Sequence, residues 1–142
     1  SLLATALLVA CVVVLLQRGA LIGGRYVALG LQLLAIALMV WARLTFGMRS
    51  FHATANPTAG GLVTAGPYRY WRHPIYAAVL LFTWSGVLGR AVPPTVIDLS
   101  LAAGATLMTA VRIQAEEQLL RAAMPEYAAY ALKTKRLVPF LF

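Results

Sequence analysis

At 142 residues, 61% of them hydrophobic and 11% charged, with a mean hydropathy of +0.80, the chain carries more apolar surface than a soluble domain of this size can bury. Lys and Arg outnumber Asp and Glu by 12 to 4, a net charge of +8, but the basic residues fall at the ends of apolar runs. That placement excludes the basic stripe of a nucleic-acid binder and points to lipid headgroups and an anionic ligand, while a single cysteine, Cys11, excludes an intrachain disulfide or a cysteine-rich metal site.

Four apolar segments follow one another, over residues 2–16, 26–46, 74–88 and 95–111. A transmembrane helix needs ~20 apolar residues, so the chain has room for about four spans and no separate soluble domain. Each segment is apolar nearly all round, the pattern of a lipid-buried helix. The first has the look of a signal-peptide core, but no basic stretch precedes it and no small-residue cleavage site is evident, so it reads as a first span shortened at its start. Gly19 to Gly24 joins the first pair. Gly89-Arg-Ala-Val-Pro-Pro94 joins the second, with Pro93 and Pro94 placed to stop one helix or begin the next. Gln32, in mid-span, is suited to bridging helices. Asp98 falls shortly after Pro94, where a helix-N-terminal or interfacial role competes with an intramembrane functional one.

Between the pairs runs a polar, glycine-containing connection over residues 47–73, long enough in so small a protein to be functional. It ends in Gly66-Pro-Tyr-Arg-Tyr-Trp-Arg-His-Pro-Ile-Tyr76, where Pro67 and Pro74 fix the backbone around a basic, aromatic cluster. Arg69, Arg72 and His73 beside the N-terminus of the third span make an anion-binding arrangement, since that helix end adds free N–H groups. Taken alone, His73 reads as a structural hydrogen-bonder before a proline. Tyr68, Tyr70, Trp71 and Tyr76 are either an interfacial belt or the wall of a pocket for a planar ring.

After residue 111 a charged helix begins, expected to leave the bilayer as an amphipathic element, to break near Pro125 and to end before Pro139. Arg112 and Glu116 stack on one helix face at i,i+4, and Glu117 and Arg121 form a second such pair, read as a surface ion pair. Leu119, Leu120 and Ala123 continue the face of Glu116 into packed or lipid surroundings, so that carboxylate wants a cationic partner from protein or ligand. Arg43, Arg49, Arg69, Arg72, Arg112, Arg121, Lys133, Lys135 and Arg136 lie on one side of the spans, and Arg18, Arg25 and Arg90 on the other. The positive-inside rule then puts both termini and the charged segments in the cytoplasm. No nucleotide-binding glycine loop, HExxH or Cys/His ligand set occurs.

Leu62-Val-Thr-Ala-Gly-Pro-Tyr-Arg-Tyr-Trp-Arg-His-Pro-Ile-Tyr76, followed by Arg112-x-x-x-Glu116-Glu117, Glu126-Tyr127, Tyr130, Thr134 and Arg136-Leu137-x-Pro139, resembles the isoprenylcysteine carboxyl methyltransferase family and its phospholipid methyltransferase relatives. The likeness lies in two blocks, while the stretch before residue 62 matches only as apolar spans. It implies an all-α integral-membrane bundle, one domain over 1–142, that uses S-adenosylmethionine without a Rossmann domain. Segments 62–76 and 112–139 would close over the cofactor at the cytoplasmic face. The resemblance implies cofactor binding by Tyr68, Arg72, His73, Pro74, Tyr76, Glu116 and Glu117, catalysis by Arg112 and Glu116, and no metal.

The implied reaction is methyl transfer to a membrane-embedded lipophilic acceptor, foremost carboxyl O-methylation of an isoprenylcysteine-like substrate, with S-adenosylhomocysteine as product. Phospholipid amine N-methylation is the alternative. A non-catalytic lipid-binding protein and a nicotinamide-dependent reductase stand in other classes. Partners are a lipophilic or prenylated substrate and membrane lipids, not nucleic acid, and the pocket should open both to the bilayer and to water. The residues suit the cofactor's charges: Glu116 for its cations, and His73, Tyr76 and Arg72 as donors to its carboxylate. A carboxylate acceptor is ionised near neutral pH and needs no base, leaving Arg112 to hold it, whereas an amine acceptor would need Glu116 or Glu117 as base. Ala78 and Pro125 depart from the family pattern, each standing where glycine is usual.

Overall fold

The computed structural model describes residues 2–47 and 62–137. Arg49, Pro139 and residues 48–61 of the long connection lie outside the described residues. The described chain is all-α: α1 (Leu2–Gln17), α2 (Tyr26–Phe46), α3 (Pro74–Leu88), α4 (Val96–Ala123) and α5 (Tyr127–Lys133), with a 3-10 turn over Gly66–Arg69. α2 packs along α3 and α1 along α4, while α3 and α4 meet less extensively.

Local sequence sets the boundaries. Pro74 opens α3 at its first position, where the missing N–H costs nothing. Thr95 and Asp98 form a reciprocal capping box at the start of α4: each side chain accepts from the other residue's backbone N–H. Pro125 ends α4 by holding Met124 extended, at φ −130° and ψ 102°.

α2 and α4 are long and apolar enough to cross a bilayer. α1 and α3, of 16 and 15 residues, are apolar but shorter. Large apolar side chains cover the outward surface, with Leu33 67% and Leu44 78% exposed. This surface and the two long apolar helices are in keeping with a membrane helical protein. All four apolar segments form helices where the sequence places them, though only two have full span length.

The fourth segment corrects the expected change of element after residue 111. α4 runs unbroken for 28 residues to Ala123. Arg112 to Arg121 consists of good helix formers, so the switch to charge marks a change of surroundings without a change of backbone.

The two ends of the bundle are built differently. At one end Leu15, Ala20, Leu21, Val87 and Ala102 form an apolar core. Around it, Asp98, fully buried, accepts from Arg18 (2.7 Å), Arg90 (2.9 Å) and Thr95. Asp98 therefore has the helix-terminal role. The linker before α2 folds back onto α3: Gly24 and Arg25 donate to the Gly89 carbonyl at 2.9 and 3.0 Å. Gln32 bridges as expected, from α2 to the Phe82 carbonyl of α3 (3.4 Å), and also donates to the Leu21 carbonyl (2.7 Å) and accepts from Gly23 N–H (3.1 Å) in the linker. The other end carries the motif residues.

Candidate active site

The motif turn is seated by Gly66. Its φ of +56° is open to glycine, and a Cβ there would lie 2.4 Å from the Thr45 hydroxyl at the end of α2. Tyr68 then tucks under Phe46 with ring centroids 5.4 Å apart, and its backbone carbonyl accepts from the Tyr130 hydroxyl at 2.7 Å. Tyr68 is buried, and that burial raises its phenol well above the ordinary range.

From this turn the chain enters α3, and two carboxylates of α4 receive it on different sides. On one side Arg112 Nε donates to the Tyr76 hydroxyl (2.6 Å), Arg112 Nη2 donates to Glu116 Oε1 (2.8 Å), and the Tyr76 hydroxyl donates to the same oxygen. Arg112 is 6% exposed, and its Nη1 has no hydrogen-bond partner among the described residues. Glu116 is half-buried, with Oε2 3.8 Å from His73 Nδ1.

On the other side Glu117, 3% exposed, is held by two guanidinium groups and faces the His73 imidazole. Arg72 Nε donates to it at 2.9 Å, Arg136 Nη2 at 3.2 Å, and His73 Nε2 lies 3.4 Å away. This corrects the surface pair expected of Glu117 and Arg121. Arg121 instead lies over the Tyr127 ring at 5.9 Å. Glu117 turns inward because its partners come from the motif turn and the C-terminal segment, which its own helix cannot supply. The same geometry revises the anion-binding cluster: Arg72 and His73 face an anion the chain itself provides, and Arg69 is exposed.

Arg72 is further committed to the carbonyls of Ala131, at 2.7 Å, and Thr134. Of the expected site residues, Tyr76, His73, Arg112 and Glu116 come together around the half-open carboxylate, with buried Pro74 starting the helix beside them. Arg72 and Glu117 lie behind His73, and Tyr68 lies under Phe46. Individual site assignment missed Arg136, Ala131 and Thr134; their signal was the second motif block, whose spacing brings this segment back to the turn.

A groove of about 750 Å³ lies next to these residues, between α2 and α3, lined by apolar side chains including Leu34, Leu38, Leu80 and Leu137. Trp41, Trp71 and Trp84, all the tryptophans of the chain, also line it. Trp71 is thus a groove wall, and of the motif aromatics Tyr70 stays exposed.

Residues 28–122 match the family described as the isoprenylcysteine carboxyl methyltransferase (ICMT) family, and this span includes the motif turn, α3 and nearly all of α4. The chain belongs to the isoprenylcysteine carboxyl methyltransferase family. The chain is 38% identical over 82 residues to the cobalt-zinc-cadmium resistance protein CzcN of Cupriavidus metallidurans, covering 56% of this chain and 36% of that protein. The chain therefore spans about a third of the length of the curated relative it matches. No solved structure matches. Among the described residues no group of three or more His, Cys, Asp and Glu is placed to hold a metal ion.

Proposed function

We propose that the chain is an S-adenosylmethionine-dependent methyltransferase of the membrane, with four spans and its active site at the cytoplasmic face, acting on a lipophilic acceptor. Carboxyl O-methylation of an isoprenylcysteine-like substrate is the leading reaction. The observation that carries this reading is the Arg112–Tyr76–Glu116 network beside His73, with a buried guanidinium nitrogen that lacks a partner among the described residues. A buried donor of that kind is costly unless a ligand completes it.

The residues fit the cofactor. Its ammonium and sulfonium need an anion and its carboxylate a donor, which Glu116 Oε2 and the His73 ring supply, while the Tyr76 hydroxyl, committed to Glu116 Oε1, holds that carboxylate in place. S-adenosylmethionine supplies, when bound, an electrophilic methyl group that passes to the acceptor oxygen as the carbon–sulfur bond breaks. The chain's own work is to hold and orient. Arg112 Nη1, unpartnered among the described residues, is the donor offered to an acceptor carboxylate, while Tyr76 and Glu116 fix the same guanidinium through Nε and Nη2. Orientation of this kind accounts for much of the rate in displacement reactions. An ionised carboxylate needs no base. The groove between α2 and α3 suits the acceptor's apolar portion, and its volume falls within the ~300–1,000 Å³ of small-molecule sites.

Calorimetric titration of the detergent-purified protein with S-adenosylhomocysteine tests the reading. Micromolar binding is expected, lost in His73→Ala and Glu116→Ala. Arg112→Ala should keep cofactor affinity and lose turnover of N-acetyl-S-farnesylcysteine. Equal loss of cofactor binding in the Arg112 and Glu116 variants would overturn the division of roles, and a well-folded wild type that binds no S-adenosylhomocysteine would favour a non-catalytic lipid-binding protein.

A further inference from the structure

Residues 70–73 and 135–137 run side by side as a two-stranded strap. Arg72 N–H donates to the Lys135 carbonyl (2.7 Å), His73 N–H to that of Arg136 (3.1 Å) and Lys135 N–H to that of Tyr70 (3.2 Å). The parallel bridge pairs Trp71 with Lys135. The side chains of the strap sort onto two sides, with His73 following Arg72 toward Glu117. Arg72 and Arg136 turn to Glu117, whereas Trp71 and Leu137 turn the other way and line the apolar groove. One thin wall thus has His73 and the carboxylate network on its polar side and the groove on its apolar side. The carboxylate that grips both strands is Glu117, which also reaches the His73 ring.

We infer that Glu117 is a positioning residue that sets both substrate sites at once: through Arg72 and Arg136 it fixes the strap that holds His73 on one side and roofs the groove with Trp71 and Leu137 on the other. This rests on the methyltransferase reading. Glu116 differs from it in being half-open, with one oxygen clear of Arg112 and Tyr76. Loosening the strap moves both sites, so the affinities for cofactor and lipophilic acceptor fall together.

The test compares Glu117→Gln, Glu117→Asp, Arg136→Gln and Leu137→Ala in the full chain. Readouts are backbone hydrogen exchange of residues 127–137 without ligand, and KM for S-adenosylmethionine and for N-acetyl-S-farnesylcysteine. Glu117→Gln and Arg136→Gln should speed exchange and raise both KM values by about tenfold, the effect of one lost charge-assisted hydrogen bond, with a smaller fall in kcat. Glu117→Asp should recover part of both. Leu137→Ala should raise KM for the farnesylated acceptor alone. If Glu117→Gln leaves its cations unpaired and does not fold, Arg136→Gln carries the test, since Arg72 still holds the carboxylate. Faster exchange with both KM values unchanged would overturn the inference, as would a rise confined to S-adenosylmethionine, which would make Glu117 a direct cofactor ligand. Wild type that binds no S-adenosylhomocysteine overturns the methyltransferase reading and this role with it, while unchanged exchange in both variants overturns the clasp alone.

Discussion

Gly86 shows how tightly single positions are set. Its Cα side faces the linker before α2, and a Cβ built there would stand 2.0 Å from the Leu21 carbonyl oxygen and 3.0 Å from Gln32 Nε2, the group that donates to that carbonyl. Backbone cannot yield as a flexible side chain can, so Gly86→Ala should destabilise by ~1–3 kcal/mol or more, the scale of overpacking. Gly30→Ala has nothing within 4 Å of its Cβ and should be neutral or stabilise α2 by ~0.5–1 kcal/mol. Thermal unfolding in detergent compares the two, and a Gly86→Ala protein as stable as wild type would refute the close approach. Side-chain roles were legible from the sequence where the partner is a helical neighbour: Arg112 and Glu116 pair at i,i+4 as their spacing requires. Glu117 was not legible from its own helix, because Arg72 is 45 residues away and Arg136 is 19. Sequence spacing rewards the local partner, Arg121, while burial rewards whichever cations the fold delivers.

Among the elements, the seven-residue α5 and the segment after it are tied to the motif turn by hydrogen bonds of Arg72 and Tyr130. Tyr68, Tyr127 and Tyr130 are packed into this junction. Burial raises all three phenols, Tyr130 to about 12 from an ordinary 10.0, with nearby Arg72 opposing the rise. A phenol raised on folding keeps its proton longer in the docked segment than in the released one. Between pH 10 and about 12 the docked form therefore binds more protons, and its stability falls as pH rises through that window; below pH 10 these groups contribute no pH dependence. Hydrogen exchange of residues 127–137 should accelerate above pH 10 in step with tyrosinate absorbance, before α2 and α3 loosen. Tyrosinate appearing with the segment still protected would contradict it. The helices themselves were readable from hydropathy and from Pro74, Pro93, Pro94 and Pro125. The unbroken α4 was not, since hydropathy reports the solvent around a helix while hydrogen bonding decides its length.

At the scale of the whole molecule the charge is divided between two ends with different work. Arg18, Arg90 and Asp98 tie the end of α1, the α3–α4 connection and the start of α4 together, so one carboxylate joins α1 to the α3–α4 hairpin. The other end spends its carboxylates on the motif turn and the strap. At ~1.5 Å per helical residue Asp98 and Glu116 are about 27 Å apart along α4, well beyond the ~8–10 Å over which exposed charges interact in salt. Asp98→Asn leaves Arg18 and Arg90 without their counter-charge and should lower the melting temperature. Affinity for S-adenosylhomocysteine, measured well below the lowered melting temperature, should stay within about twofold of wild type, since distant sites without shared partners are nearly independent. Arg136→Gln should do the reverse, with a small loss of stability and a large loss of affinity. Cofactor affinity that fell with Asp98→Asn would mean that the helix pairs shift as one body, and the separation of a structural end from a chemical end would have to be abandoned.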